Sequence, residues 1–116
     1  MSDKPFSMFV PVGQTGGTIT IEHGKSGLQW IIWQLTVETI PARLSAQATL
    51  RKNGRYVTST IVGSGSSAQG PPAILLNSND VLTVLWIGMQ AGDELIATPF
   101  YEEVPWGQHG TGFGLV

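Results

Sequence analysis

The sequence predicts an all-β chain: an antiparallel β-sandwich or jelly roll of seven to eight strands, with extended N- and C-terminal arms. Three observations predict it. Apolar residues recur with a period of two along the best-defined segments. Turn-forming residues punctuate the chain about every eight to twelve residues, the spacing of a sandwich. No segment keeps a helical period, and 15 glycines and 7 prolines in 116 residues oppose one, because both destabilise a helix interior.

The elements follow in order. Residues 1–16 form the N-terminal arm. Phe6 to Val12 reads as a short strand bracketed by Pro5 and Pro11. The sandwich domain covers residues 17–103 and begins with Gly17 to Glu22, where Ile19 and Ile21 point one way. Gln29 to Glu38 is the clearest strand. Its odd positions Ile31, Trp33, Leu35 and Val37 are all apolar and are expected in the core. Its even positions pass from Trp30 and Ile32 to Gln34, Thr36 and Glu38, so the second face is covered only at its start. Its β-branched and aromatic content agrees. Ala42 to Ala48 has room for one helical turn at most, after Pro41.

Asn53-Gly54 between two alternating segments predicts a type I′ hairpin, because both residues tolerate positive φ. Ala48, Leu50, Val57 and Ile61 should face inward, with Arg51, Lys52 and Arg55 at a solvated tip. Gly63 to Gly70 is a small-residue loop closed by Pro71-Pro72, and Ala73 to Leu76 is a short strand. Val81 to Ile87 is apolar on both faces and should be a central strand covered on both sides, with Trp86 in the core. Gly88 to Gly92 turns the chain into Asp93 to Glu103, where Pro99 demands an edge position or a bulge. Residues 104–116 form a Gly-rich tail.

Composition excludes several functions. Charged residues make up 12% of the chain, about half the usual share of roughly 25%. Six basic and eight acidic residues give a net charge of −2, without the Lys/Arg clusters that nucleic acid needs. No cysteine is present, so disulfides and thiolate metal sites are excluded. The N-terminus is not expected to be a signal peptide, and no uncharged run reaches the roughly 20 apolar residues of a membrane helix.

Chemistry is equally sparse. His23, Glu22 and His109 are too scattered to predict a metal site, and His23 and His109 read as a turn and a tail residue. Gly63-Ser64-Gly65-Ser66 lacks the strand-to-helix context of a nucleophile elbow. The adjacent pairs Asp93-Glu94 and Glu102-Glu103 point to opposite faces of a strand and cannot form dyads. No catalytic residue, cofactor or metal is expected, and the chain is not expected to be an enzyme.

Two expectations concern binding. Only Asp80 carries charge between Ile61 and Gly92, which marks a buried or subunit-facing surface. Together with the two arms it suggests a subunit of a larger assembly, normally cyclic. Phe6 and Phe9 in one arm and Trp106, Phe113 and Leu115 in the other are the candidate docking residues. Alternatively Trp30, Tyr56 and Trp106 stack on sugar rings.

Three segments carry a resemblance. They are Leu50-Arg51-Lys52-Asn53-Gly54-Arg55-Tyr56-Val57, then Gly63 to Pro72 with Ala68-Gln69-Gly70-Pro71-Pro72, then Asn79-Asp80-Val81 through Trp86. With the Gly92-Asp93 turn and Tyr101-Glu102-Glu103, the chain resembles small β-sandwich virion proteins of tailed bacteriophages, especially those of actinobacteria. The similarity spans residues 17–103 and leaves out the tail after Glu103. The resemblance implies a non-enzymatic structural subunit of the phage virion, a minor tail or tail-tip protein; alternatives are a capsid decoration protein or a module contacting host cell-wall glycans. Its partners would be other virion proteins and further copies of itself.

Overall fold

The computed structural model describes residues 2–57, 61–62, 66–68 and 73–105, with the backbone alone at Tyr56 and at the two short segments. The described strands are β1 (Ser2–Asp3), β2 (Phe6–Phe9), β3 (Gly17–Ile21), β4 (Leu28–Ile40), β5 (Gln47–Lys52), β6 (Arg55–Tyr56), β7 (Ile61–Val62), β8 (Ser66–Ala68), β9 (Ile74–Asn77), β10 (Leu82–Ile87) and β11 (Glu94–Pro105). Among the described residues there is no helix, so Ala42 to Ala48 makes no helical turn.

The strands form two antiparallel sheets, as the period-two reading requires. The first has the order β1-β11-β4-β8, with β2 also on β11 and β9 also on β4. The second has the order β3-β10-β5-β6, with β7 also on β5. Their inner faces share one core. Ile32, Leu35, Val37, Ile74, Leu76, Leu95 and Ala97 come from the first sheet. Ile19, Ile21, Ala48, Leu50, Leu82, Val84 and Trp86 come from the second. Trp86 is core, as expected.

The segment read as an N-terminal arm supplies β1 and β2, which pair with β11 as an edge of the first sheet. Pairing breaks at Lys4-Pro5, between Ala97↔Phe6 and Phe100↔Asp3. Pro99 lies opposite that gap on one side and pairs with Leu35 on the other. Asn53 (φ 51°) and Gly54 (φ 85°) both adopt the left-handed conformation of a type I′ turn.

Two expectations are corrected. The first concerns β4. Phe100 pairs with Gln34, but Tyr101 pairs with Ile32, so Trp33 is an extra residue in the ladder. A bulge of one residue exchanges the faces of a strand beyond it. The inner face of β4 is therefore Trp30 and Ile32 before the bulge, and Leu35 and Val37 after it. Trp33 is not core: it is 37% exposed, and its indole N–H donates to Glu102 Oε1 at 3.2 Å. Pro99 called for a bulge, and the bulge lies on the partner strand one step away.

The second concerns β10. It is central, between β3 and β5. Only one of its faces is covered. Leu82, Val84 and Trp86 are buried, whereas Leu85 and Ile87 are about half exposed on the outer face.

The two tryptophans separate these environments by mutation. Trp86→Ala is expected to cost about 3–5 kcal/mol of stability, and Trp33→Ala under about 1 kcal/mol. Urea unfolding of both variants checks this. Equal losses would contradict the bulge assignment.

Candidate functional site

The two ends of the sandwich differ in chemistry. At one end lie the turns at 22–27, 53–54 and 78–81. His23 sits between two backbone groups. Its Nε2 bonds the Leu76 carbonyl at 2.6 Å, and its Nδ1 accepts the Lys25 N–H at 3.0 Å. Both ring nitrogens are engaged, and the ring acts as a turn fastener. Trp30 stacks between His23 and Tyr101, at centroid distances of 5.0 and 3.9 Å. Its N–H donates to Glu103 Oε1 at 3.0 Å, and Lys25 Nζ donates to the same oxygen at 2.9 Å. These two bonds, Trp30 first, hold the Glu103 carboxyl below its ordinary pKa.

Asp80 fastens the hairpin to the next turn. It accepts the Asn77 N–H at 2.9 Å and Asn53 Nδ2 at 3.0 Å. Burial pushes its pKa up, but these bonds and Lys52 at 3.8 Å outweigh burial and lower it. With Arg51, Lys52, Arg55, Lys25 and Glu22, this end is strongly polar.

The opposite end is built by the connections 10–16, 41–46 and 88–93, which link β2 to β3, β4 to β5 and β10 to β11. Arg43 and Asp93 are their only charged residues, and these pair with each other. Arg43 Nε donates to Asp93 Oδ2 at 2.5 Å and Nη2 to Oδ1 at 2.9 Å. The guanidinium, with the Gln90 N–H as a second donor, lowers the Asp93 pKa. Backbone bonds close the cluster: Val10 N–H to Asp93 O at 2.8 Å, Gly92 N–H to Val10 O at 2.9 Å, and Met89 N–H to Thr15 O at 2.8 Å. Gly88, at φ 79°, lies so close that a Cβ there would meet the Ser45 carbonyl oxygen. This residue must be glycine on both counts.

This hydrogen-bonded end carries apolar side chains in water. Val12 and Leu44 at the loop tips are each 96% exposed. Phe9 (66% exposed) and Ile40 lie either side of Glu94 in one cross-strand row on the outer face of the first sheet. Ile87 and Leu85 lie on the outer face of the second sheet, approaching the same end. Beside Leu85 a broad, open depression of about 480 Å3 is lined by Met8, residues 13–18 and Trp86. Single exposed apolar residues are ordinary, and here six of them stand towards one end of the sandwich.

The residues singled out in the sequence fall as follows. Phe6 packs partly against the core, and Phe9 projects outward within the cluster. Trp30 is 2% exposed and has no face free for a sugar ring. Trp106, Phe113, Leu115 and His109 lie outside the described residues, as does the Tyr56 side chain. Sequence reasoning passed over Val12, Ile40 and Leu44, and took Leu85 and Ile87 only as part of the charge-poor stretch 61–92. The available signal was the absence of unpaired charge from all three connections.

No protein-family model, curated protein or solved structure matches the chain.

Asp80, Asp93 and Glu103 have lowered pKa values in the fold. Their stabilisation is complete above the unfolded carboxylate range near pH 4 and is lost as pH falls through the folded values. The melting temperature is therefore expected to fall as pH drops below about 5. Asp93→Asn should melt lower at pH 7 and show a flatter acid limb. Thermal melts across pH check both, and an unchanged limb would remove Asp93 from this role.

Proposed function

We propose that the chain is a non-enzymatic structural subunit of a particle, and that the particle is a bacteriophage virion, with the subunit in its tail or tail tip. The observation that carries this reading is the apolar, charge-neutral end. Val12, Leu44, Phe9, Ile40 and Ile87 stand in water on loops and strand ends that Arg43–Asp93 holds in place. Such a surface suits burial against another protein and ill suits a chain that stays alone.

The strand order supports the same reading. With each interrupted strand counted once (β1/β2, β6/β7 and β8/β9), four strands fall on each sheet. Numbered along the chain, one sheet runs first, eighth, third, sixth, and the other runs second, seventh, fourth, fifth. We read this as a jelly roll, an architecture of viral capsid and lectin domains alike. A fold does not choose between those roles. The burial of Trp30 weighs against the glycan-binding alternative, and the virion resemblance weighs for the structural one.

Mass spectrometry of purified particles tests the proposal. The chain is expected at a fixed ratio to other particle proteins, with antibody label on the tail in electron micrographs. Its absence from particles and presence only in the soluble lysate would overturn the reading. Label on the head instead would move the subunit to the capsid.

A further inference from the structure

Strand β3 leaves a row of main-chain groups open at one edge of the second sheet. Successive residues of an antiparallel strand turn their N–H and C=O groups to opposite sides. The Asn53 N–H donates to the Val81 carbonyl at 2.8 Å, so these two residues form a bonded pair just before β10. Counted from there, Thr83, Leu85 and Ile87 turn their main chain to β5, and Leu82, Val84 and Trp86 turn theirs to β3. The Val57 N–H on the Leu50 carbonyl fits the same count, because it turns Leu50 away from β10. On β3 the bonded residues are therefore Ile21, Ile19 and Gly17. Thr18 and Thr20 are left with N–H and C=O pointing off the edge. Both residues are exposed, and no main-chain bond reaches that side of them among the described residues.

We propose that this edge pairs with the same edge of a second copy, β3 against β3 about a two-fold axis, which joins the second sheets of the two copies into one. The proposal goes beyond the particle reading and does not depend on it.

Three observations carry it. First, the other edges are obstructed and this one is not. Sheets protect their free edges with charges, prolines and interruptions. The β1/β2 edge is interrupted at Lys4-Pro5, where Pro5 offers no N–H. β6 carries Arg55. On β9, Asp80 takes the Asn77 N–H at 2.9 Å. β3 is Gly-Thr-Ile-Thr-Ile, with no charge, proline or bulge, and its Thr and Ile residues favour strands.

Second, the edge complements itself. A two-fold pairing sets Thr18 against Thr20 of the partner subunit, and Thr20 against Thr18 of the partner subunit, each pair exchanging both of its N–H···O bonds. Ile19 then faces Ile19 of the partner subunit, Ile21 faces the partner's Gly17, and Glu22 faces the partner's Gly16. On the outer side threonine meets threonine, a pair that hydrogen-bonds across strands. The larger side chains meet glycine, and no two like charges meet.

Third, the side of the sandwich that carries β3 suits a second copy. β2 lies beside β3 there, with Met8 against Gly17. No charged residue occurs from Pro5 to Ile21, so two such sides meet without burying an unpaired charge. The side is up to 44 Å long and at least 23 Å across. It offers at most on the order of 1000 Å2, and a standard interface takes roughly 800 Å2 from each partner. A two-fold contact uses one surface on both copies and closes at two.

The test uses full-length protein with substitutions at the two exposed threonines. Thr20→Pro removes an outward N–H and no bond to β10. The double variant Thr18→Lys/Thr20→Lys sets like charges opposite each other across the axis, and Thr18→Glu/Thr20→Glu does so with the other sign. Circular dichroism with thermal melting establishes that each variant folds, and the charge variants carry the test if Thr20→Pro does not. Sedimentation velocity gives the masses, and amide hydrogen exchange by NMR follows Thr18 and Thr20. The wild type is expected to form a dimer as concentration rises, with exchange at Thr18 and Thr20 slowing as it forms. Each variant alone is expected at half the dimer mass. The Lys and Glu variants mixed are expected to recover the dimer, since each lysine then faces a glutamate. Five results would overturn the pairing: a wild type that is monomeric at every concentration, a wild-type species larger than a dimer, a dimer that survives in the variants, exchange at Thr18 and Thr20 that ignores dimer formation, or mixed charge variants that stay monomeric. None of these results bears on the particle reading, and absence of the chain from particles would overturn that reading while leaving the pairing as it stands.

Discussion

The pairing of β4 with β11 is the constraint on which the rest depends. It runs from Glu94↔Ile40 to Pro105↔Leu28 with one interruption, the extra residue Trp33. That residue decides which side chains enter the core. Leu35 and Val37 are inside beyond it, and Trp30 and Ile32 are inside before it. A regular strand that kept Leu35 and Val37 inside would turn Trp30 outward and away from Tyr101 and Glu103. The aromatic stack at the charged end therefore needs the bulge as much as it needs the tryptophan.

The same two strands also carry the fasteners at both ends. Arg43 follows β4 and Asp93 precedes β11, so their bidentate bond closes one end of the pair. Trp30 lies near the start of β4 and Glu103 near the end of β11, and their bond closes the other. The two closures leave different surfaces. Arg43 and Asp93 neutralise each other completely, and no other charge stands on the connections around them. Glu103 shares its oxygen with an exposed lysine among several further charges. One framework thus ends in a neutral surface and a charged one.

Much of this was legible in the sequence. Alternation pointed Ile19 and Ile21 one way and placed Ala48 and Leu50 on an inner face, because Thr20 and Thr49 separate the apolar residues of each pair. Asn53-Gly54 fixed a turn through backbone sterics alone. The bulge was hidden for a physical reason. Trp30-Ile31-Ile32-Trp33 is apolar at every position, so an exchange of faces within it leaves no trace in the pattern. Pro99 announced an irregularity, but a missing N–H does not say which strand of a pair will carry the extra residue. The neutral end was legible only as a deficit of charge. Nothing local distinguishes Val12 or Leu44 on an exposed loop from the same residues in a core.

Those exposed residues separate what folding requires from what it does not. Val81 to Ile87 reads as covered on both faces because both are apolar, yet the fold covers only the face that holds Leu82, Val84 and Trp86. A polar side chain at position 85 or 87 would cost the core nothing, and the same holds at 9, 12, 40 and 44. Burial within this chain thus accounts for none of the six. Scattered over the surface they would need no account. They stand towards the end that Arg43–Asp93 closes, on two opposite outer faces and the loop tips between them, with Glu94 between Phe9 and Ile40. The contact proposed for the assembly subunit would account for them where burial within this chain does not.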